Sequence, residues 1–390
     1  MTRSRSSRLI VQFRPERQHI SALWARYTVR MSALSRYLRV EFPAPSYLSV
    51  PAVGIDISTS GIKIARLKET LRGLELADYE EMMLPAGSVV NGEVRDPQAV
   101  VDGLKQLAKK HHIKAANIAL PEARGYLFEA EIPEGGDEEI AVAVERRLDE
   151  YVPLPASEVA FALARLPKGE GPRRAVGAGY AHRVVEENLS MLDEAGIVVS
   201  AIESETFALP RALLKPSDAE TVLIIDIGKT TTKLLVATAR LPRYVTTLDV
   251  GGHALTLAVV KHFGVTEEEA KKVKAERGIV AGEGNEEYLA AMLSTVSVIR
   301  YEIAKRLEYW QSRPETAVSK DPVTRAILTG GNATVLGLPE YLESALKVPV
   351  ELGDVFANFS PRDAWLPPLE YTESLAYGTA IGLALRNHVR

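Results

Sequence analysis

Polar and apolar positions alternate three times in the early chain, in "VGIDIS" (53–58), "IKIARLKE" (62–69) and "LELADYEEMML" (74–84). Separated only by turns at Ser60-Gly61 and Arg72-Gly73, these runs predict a three-stranded meander. The period then lengthens to that of a helix over "DPQAVVDGLKQLAKKHH" (96–112), with Asp96 as N-cap and Pro97 as the first helical residue. "NIALPE" (117–122) and "GYLFEAEIP" (125–133) read as strands, "DEEIAVAVERRLDEYVP" (137–153) as a helix closed by Pro153, and 158–166 and 174–181 as further strands. A helix over 183–195 stops at Gly196, followed by a strand at 197–202 and a helix at 204–214.

A second meander follows in "TVLIIDIG" (221–228), "TTKLLVATA" (231–239) and "YVTTLDVG" (244–251). Beyond it, "HALTLAVVKHFG" (253–264), "TEEEAKKVKAERG" (266–278) and "EEYLAAMLSTVSVIRYEIAKRLEYWQSR" (286–313) are helical by period. The strand "RAILTGG" (325–331), the helix "PEYLESALK" (339–347), the short strand "VPVEL" (348–352) and a last helix "ESLAYGTAIGLALRN" (373–387) complete the chain. Each half opens on a meander and continues into helices, the plan of an internally duplicated α/β protein.

With 390 residues, 46% of them apolar, the chain can bury a large core spread over two or three domains. No apolar run approaches the eighteen or so residues of a membrane span. The absence of cysteine excludes disulfides and thiolate metal sites and suits the cytoplasm. The net charge of −4 is uneven: residues 1–50 carry nine Arg against Glu16 and Glu41, a net +7, which leaves −11 elsewhere. That leader has the composition of a nucleic-acid arm, a lipid arm or a targeting peptide. The reading preferred over these is a start assigned too early, with Met31 the true start and residues 1–30 disordered and dispensable. No nucleic-acid partner is expected. "FPAPSYLSVPAVG" (42–54) is an extended, proline-punctuated lead-in to the first strand.

The duplication is closest at "GIDISTSGIK" (54–63) and "IIDIGKTTTK" (224–233), which align without a gap: Asp56 falls on Asp226, Ile57 on Ile227, Ser60 on Thr230 and Lys63 on Lys233. A tight turn between strands presents backbone amides and hydroxyls, a concavity suited to phosphate oxygens. An aspartate on the preceding strand can hold Mg²⁺ through water, because Mg²⁺ keeps much of its hydration shell. Two such turns facing across a cleft would grip a polyphosphate from both sides. The candidate ligands are Asp56, Ser58, Thr59, Ser60, Gly61 and Lys63 in the first copy, and Asp226, Gly228, Lys229, Thr230 and Thr231 in the second. Asp56 and Asp226 are the metal candidates. A third element, "AILTGGNATVLGLPEYLESAL" (326–346), offers Gly330, Gly331 and Asn332, where a missing Cβ would let backbone approach a flat ring. His111 and His112 read as a solvated helix end.

In order and spacing these segments resemble the actin-like ATPase superfamily, with 54–63 as phosphate-1, 224–233 as phosphate-2 and 327–333 as the adenosine motif. "YEIAKRLEYW" (301–310) and "YGTAIGLALR" (377–386) resemble its two connecting helices. Between the two phosphate turns, the succession of helix, strands, helix and strands resembles the 1C-type subdomain of the FtsA and PilM branch. "VRDPQAVVDGLKQLAKKH" (94–111), "DEYVPLPASEVAFAL" (149–163), "MLDEAGIVVSAIESETFALPRAL" (191–213), "DVGGHALT" (249–256) and the lead-in are similar to the PilM family of type IV pilus assembly. The resemblance runs from about residue 40 to the C-terminus.

It implies an actin-like α/β fold of two duplicated lobes around a nucleotide cleft. Residues 51–83, 183–218 and 356–390 form the first lobe, 219–355 the second, and 84–182 an inserted 1C-type subdomain. It implies ATP and Mg²⁺ as cofactors. It also implies a cytoplasmic scaffold recruited to the inner face of the membrane by the cytoplasmic tail of a PilN-like protein, with other pilus components and self-association as further contacts. Three departures stand out: Ser58 replaces a common Gly, Lys229 a small residue, and Lys271 the Glu that in the family's Glu-x-x-Lys motif meets the ribose, whereas Lys274 is kept. With no recognisable base for water, at most a slow ATPase is expected. An FtsA-like division protein, a small-molecule kinase of the same superfamily and a GspL-like secretion protein are the rival readings.

Overall fold

The computed structural model describes residues 10–12, 52–167, 171–282, 284–312, 322–361 and 363–388. Its first strands are β1 (Ile10–Gln12), the meander β2 (Val53–Ile57), β3 (Gly61–Thr70) and β4 (Gly73–Met83), and a small hairpin, β5 (Val89–Val90) and β6 (Glu93–Val94). Helix α1 (Pro97–Lys110) leads to β7 (Ala115–Leu120) and β8 (Gly125–Glu131), and α2 (Asp137–Glu145) to the hairpin β9 (Val159–Arg165) and β10 (Arg174–Ala181). Then come α3 (His182–Glu194), β11 (Val198–Ser204) and α4 (Glu205–Leu213). The second half runs β12 (Thr221–Ile227), β13 (Thr232–Thr238), β14 (Leu241–Leu248), α5 (Gly252–Phe263), α6 (Glu267–Arg277), α7 (Glu286–Gln311), β15 (Arg325–Thr329), α8 (Leu338–Leu346), β16 (Val350–Leu352), α9 (Tyr371–Ser374) and α10 (Gly378–Leu385).

Two five-stranded sheets share one plan. The first has the order β4-β3-β2-β7-β11 and the second β14-β13-β12-β15-β16. In each, the meander is antiparallel and its first strand pairs in parallel with the next strand outward. A third sheet, β1-β9-β10-β8, stands apart from both. The local signals for the helices work as the sequence implies. Asp96 accepts from the Ala99 amide to cap α1, Ser204 caps α4 through Thr206, and Thr266 with Glu269 forms a capping box on α6.

The apolar face of α7, at 288, 292, 296, 299, 303, 307 and 310, is buried at helical spacing, and the helix packs on α5 and α8. All eight residues of α10 are buried, and the helix lies against β2, β3 and α4. It can approach so closely because small residues line the contact. A Cβ on Gly54 would come within 1.9 Å of the Ala380 carbonyl oxygen, and one on Gly382 within 1.9 Å of that of Ala208. Buried Glu203 holds the same helix electrostatically, through Arg211 at 2.5 Å and through Arg386.

Several expectations need correction. The helix anticipated over 137–153 ends at Glu145. Arg147 turns to φ −120°, and a short 3-10 turn carries Leu148 into the core while Tyr151 stacks on Phe128 at 5.3 Å. The last helix, expected to be continuous over 373–387, is broken by a 3-10 turn at 375–377. The Leu375 carbonyl is taken by the Gly330 amide (3.0 Å) and the Thr329 hydroxyl (3.1 Å), so it cannot accept from the next helical turn. Of the stretch 84–182 expected as an inserted subdomain, β7 pairs with β2 of the first sheet, whereas β8, β9 and β10 belong to the third. His111 is not solvated: its ring meets Glu80 at 2.5 Å, and only His112 is exposed. Within the leader, Ile10–Gln12 pairs antiparallel with 161–163 of β9. The remaining expectations for 1–50, Met31 as start among them, lie outside the described residues.

The close seating of α10 is testable. Gly54→Ala should destabilise the chain by about 1–3 kcal/mol in urea unfolding, because backbone must move to admit the methyl. Gly282→Ala, where an added Cβ meets nothing, should stay within about 0.5 kcal/mol. Equal midpoints for the two variants would refute the close approach.

Candidate functional site

The repeated turns are two-residue hairpin loops. In the first, Ser58 and Gly61 exchange backbone hydrogen bonds at 2.9 and 3.2 Å around Thr59-Ser60; in the second, the Gly228 amide donates to the Thr231 carbonyl at 2.9 Å around Lys229-Thr230. Pairing register then fixes the chemistry. Asp56 stands opposite Lys63, and Asp226 opposite Lys233, so each copy sets one carboxylate beside one ammonium on the same face of its sheet.

Lys63 is buried, its Nζ donating to Ser60 Oγ at 2.6 Å and lying 2.9 Å from Glu81 of the same meander. Lys233 has a different partner. Its Nζ lies 2.5 Å from Glu205 Oε2, at the start of α4 in the other half of the molecule. Glu205 Oε1 also accepts from the Glu122 amide at 2.7 Å, and Glu122 Oε2 accepts from the Thr247 hydroxyl at 2.6 Å. Since Thr247 pairs in register with Lys233, the four residues close a ring.

Carboxylates outnumber cations here: Asp56, Asp226, Glu81, Glu122 and Glu205 face Lys63 and Lys233. Burial pushes Asp56 up from its ordinary 3.8 to about 6, with Glu205 and Asp226 adding to the effect and Lys63 and Lys233 opposing it. Burial raises Asp226 as well, again with Glu205 adding and the two lysines opposing. Glu122 is raised by burial and by Glu205, against its hydrogen bond from Thr247. Burial alone would lower Lys233, but Glu205, Asp226 and Asp56 hold it above the usual lysine range. Among the described residues, neither Asp56 nor Asp226 has a hydrogen-bond or ion-pair partner for its carboxylate. Half-buried, unpaired and crowded by like charge, the two have the electrostatics of a cation site.

The remaining sequence candidates gather behind the second turn. Asn332 donates to the Gly228 carbonyl at 3.0 Å, and its Oδ1 accepts from Lys274 Nζ at 2.8 Å. Lys274 also donates to the Thr256 hydroxyl (3.2 Å) and the Gly252 carbonyl (3.3 Å). All three of these acceptors are neutral. Burial, with nearby Lys271, lowers Lys274 to about 8. Lys271 and Lys229 are exposed, and the Lys229 carbonyl accepts from the His253 amide at 2.8 Å to brace the start of α5. Thr59, Thr230 and Thr231 are half-buried around the turns.

Gly330 has φ +91°, and a Cβ there would lie 2.4 Å from Asp226 Oδ1, so it makes room for the aspartate. Gly331 has open space on its Cβ side, with only Ala376 Cβ at 3.6 Å. Glu205, Glu122 and Glu81 escaped the sequence reading. For Glu205 a signal existed, in a serine cap at a strand–helix junction followed at once by an acid.

Two sheets of one plan, each bearing the aspartate–lysine hairpin, with an extra subdomain set between the meanders, make this the actin-like ATPase fold. Residues 54–388 match the family model of the type IV pilus assembly protein PilM, and the chain belongs to that family. Among solved structures it is similar to a PilM-PilN type IV pilus biogenesis complex, with TM-score 0.69 and 22% identity over 86% of this chain and 98% of that one. It is also similar to the ethanolamine utilization protein EutJ of Carboxydothermus hydrogenoformans, with TM-score 0.50 and 17% identity over 87% of this chain and 90% of that one. A curated relative, the cell division protein FtsA of Borreliella burgdorferi, is 24% identical over 220 residues. That match covers half of each chain. Among the described residues, no helix is long and apolar enough to cross a membrane.

Raised Asp56 has a consequence for stability. Between about pH 4 and pH 6 the folded chain holds a proton that the unfolded chain has released, so ligand-free stability falls as pH rises through that window and levels off above it. Asp56→Asn should therefore stabilise the ligand-free chain by on the order of 1–3 kcal/mol at about pH 8, with the gain vanishing near pH 4. Urea unfolding at both values tests this, and a loss of stability at the higher pH would refute it.

Proposed function

We propose that the cleft between the two hairpins binds ATP or ADP with Mg²⁺, and that the protein acts as a nucleotide-bound scaffold in type IV pilus assembly. In this role it captures the cytoplasmic tail of a PilN-like membrane protein at the inner face of the membrane. The observation that carries the nucleotide reading is the pair of unpartnered carboxylates, Asp56 and Asp226, each beside a lysine and beneath a turn of amides and hydroxyls. An excess of negative charge repels bare phosphate but accepts it together with a divalent cation, so the site fits a metal–polyphosphate and not a free anion. Among the described residues, no group of three or more His, Asp or Glu could hold a metal alone, so Asp56 and Asp226 would share the ion with water and phosphate. Bound there, Mg²⁺ would neutralise phosphate charge. Lys63 and Lys233 would offer ammonium donors, Ser58, Ser60 and Thr230 hydroxyls, and Lys274 a cation beside the adenosine motif.

Catalysis is expected to be weak. Phosphoryl transfer depends on positioning and charge stabilisation. Here Lys233 is engaged by Glu205, and Lys271 stands where the family's ribose carboxylate would be. The partner reading is supported by membership in the PilM family and by the similarity to a PilM-PilN complex.

Equilibrium binding of a fluorescent ATP analogue tests the site. Removal of divalent cations, Asp226→Ala and Lys233→Ala should each weaken binding at least tenfold, and wild-type affinity in all three would sink the assignment. Steady-state phosphate release should stay well below the ~1 s⁻¹ of ordinary enzymes, while a PilN-like tail peptide binds with an affinity that changes between ATP and no nucleotide. Rapid turnover with no peptide binding would overturn the scaffold reading.

A further inference from the structure

Strand β14 touches the region beyond β7 at alternate residues, and therefore with one face. Thr247, nearest the repeated turns, donates to Glu122 at 2.6 Å. Val245 comes next and borders a small void with Tyr126, Leu127, Ala178 and Tyr180 of the third sheet. Arg243, at the far end, binds Glu129 of β8 through two hydrogen bonds, at 2.5 and 3.3 Å. The last pair is sealed: the Arg243 and Glu129 side chains are 6% and 11% exposed. Thr247 and Arg243 are four residues apart, about 13 Å along an extended strand. Over that distance the contact changes from the charged ring at the cleft to a dry ion pair against the inserted subdomain.

We infer that this face of β14 is a latch through which nucleotide in the cleft loosens the seating of the inserted subdomain on the second lobe. The inference rests on the nucleotide reading above. Glu205 joins the two ends. It holds Lys233 at 2.5 Å and the Glu122 amide at 2.7 Å, and Glu122 opens the short turn into β8, which carries Glu129. A phosphate oxygen at Lys233 competes with Glu205 for the ammonium. As Glu205 withdraws, Glu122 loses the acceptor for its amide, and its carboxylate is drawn off Thr247. The near end of the latch is then free, and the strain falls on Arg243–Glu129. A buried, fully paired contact of this kind is either made or broken, with no favourable intermediate, because separation leaves charge without solvent or partner. Both ends bias one element, which is the physical requirement for coupling.

The test is amide hydrogen exchange on the full chain, with and without ATP analogue and Mg²⁺, beside a measurement of analogue affinity. In the wild type, nucleotide should raise exchange in Gly125–Glu131 and Leu241–Leu248 together. The double variant Glu129→Gln with Arg243→Gln keeps two neutral polar groups in place and leaves no lone buried charge. Exchange in both segments should then be high without nucleotide and rise by less than half the wild-type increment. Because coupling is reciprocal, the variant should also bind the analogue at least threefold more tightly. If the wild type binds nucleotide while Gly125–Glu131 is unmoved, the latch is wrong and the nucleotide site stands. If the variant matches the wild type in exchange and affinity, Arg243–Glu129 is not part of any coupling. Failure of the wild type to bind nucleotide would overturn both.

Discussion

Two half-buried carboxylates without partners govern how this molecule is built. Asp56 and Asp226 lie on the first strands of twin meanders, where burial and acidic neighbours disfavour their charged forms. Left bare, they cost stability, and the surrounding structure is arranged to hold them regardless. Gly330 gives up its side chain to clear Asp226, two lysines are fixed in register opposite, and a braced turn stands over each aspartate. On the proposed reading, a cation bound between them would offset that cost, and the strain of the ligand-free cleft would add to the affinity.

The repeat at 54–63 and 224–233 made the equivalence of Asp56 with Asp226, and of Lys63 with Lys233, legible without coordinates. Which lysine faces which aspartate depends on a register one position away from the Ser60-Gly61 turn read from the sequence, because the loop is Thr59-Ser60. Glu205 and Glu122 were not legible, since they reach Lys233 and Thr247 across 28 and 125 positions of chain and belong to no common period. The fold was legible for the same local reasons: alternation gave the strands, helical period gave the helices, and Asp96 gave the start of α1. The failures were places where distant backbone intervened. Nothing in "ESLAYGTAIGLALRN" announces that the Leu375 carbonyl is claimed by Thr329 and Gly330. Similarly, nothing in the helix–strand pattern of 97–120 announces that β7 pairs with β2 and extends the first sheet.

That claimed carbonyl ties the end of β15 in the second sheet to the segment entering α10, which packs on the first. Glu203, held by Arg211 and Arg386, fixes the same helix from its other end. The C-terminal segment is thus a crosspiece shared by both halves.

The two hairpins obtain their counter-charge differently. Lys63 closes on Glu81 within its own meander, whereas Lys233 depends on Glu205 from the other half. The duplicated halves have therefore lost their equivalence. The first copy carries a complete electrostatic unit and would keep it in isolation. The second copy takes its closest ion pair from the other half, and a recombinant second lobe cut free of the first would leave Lys233 with Asp226 alone.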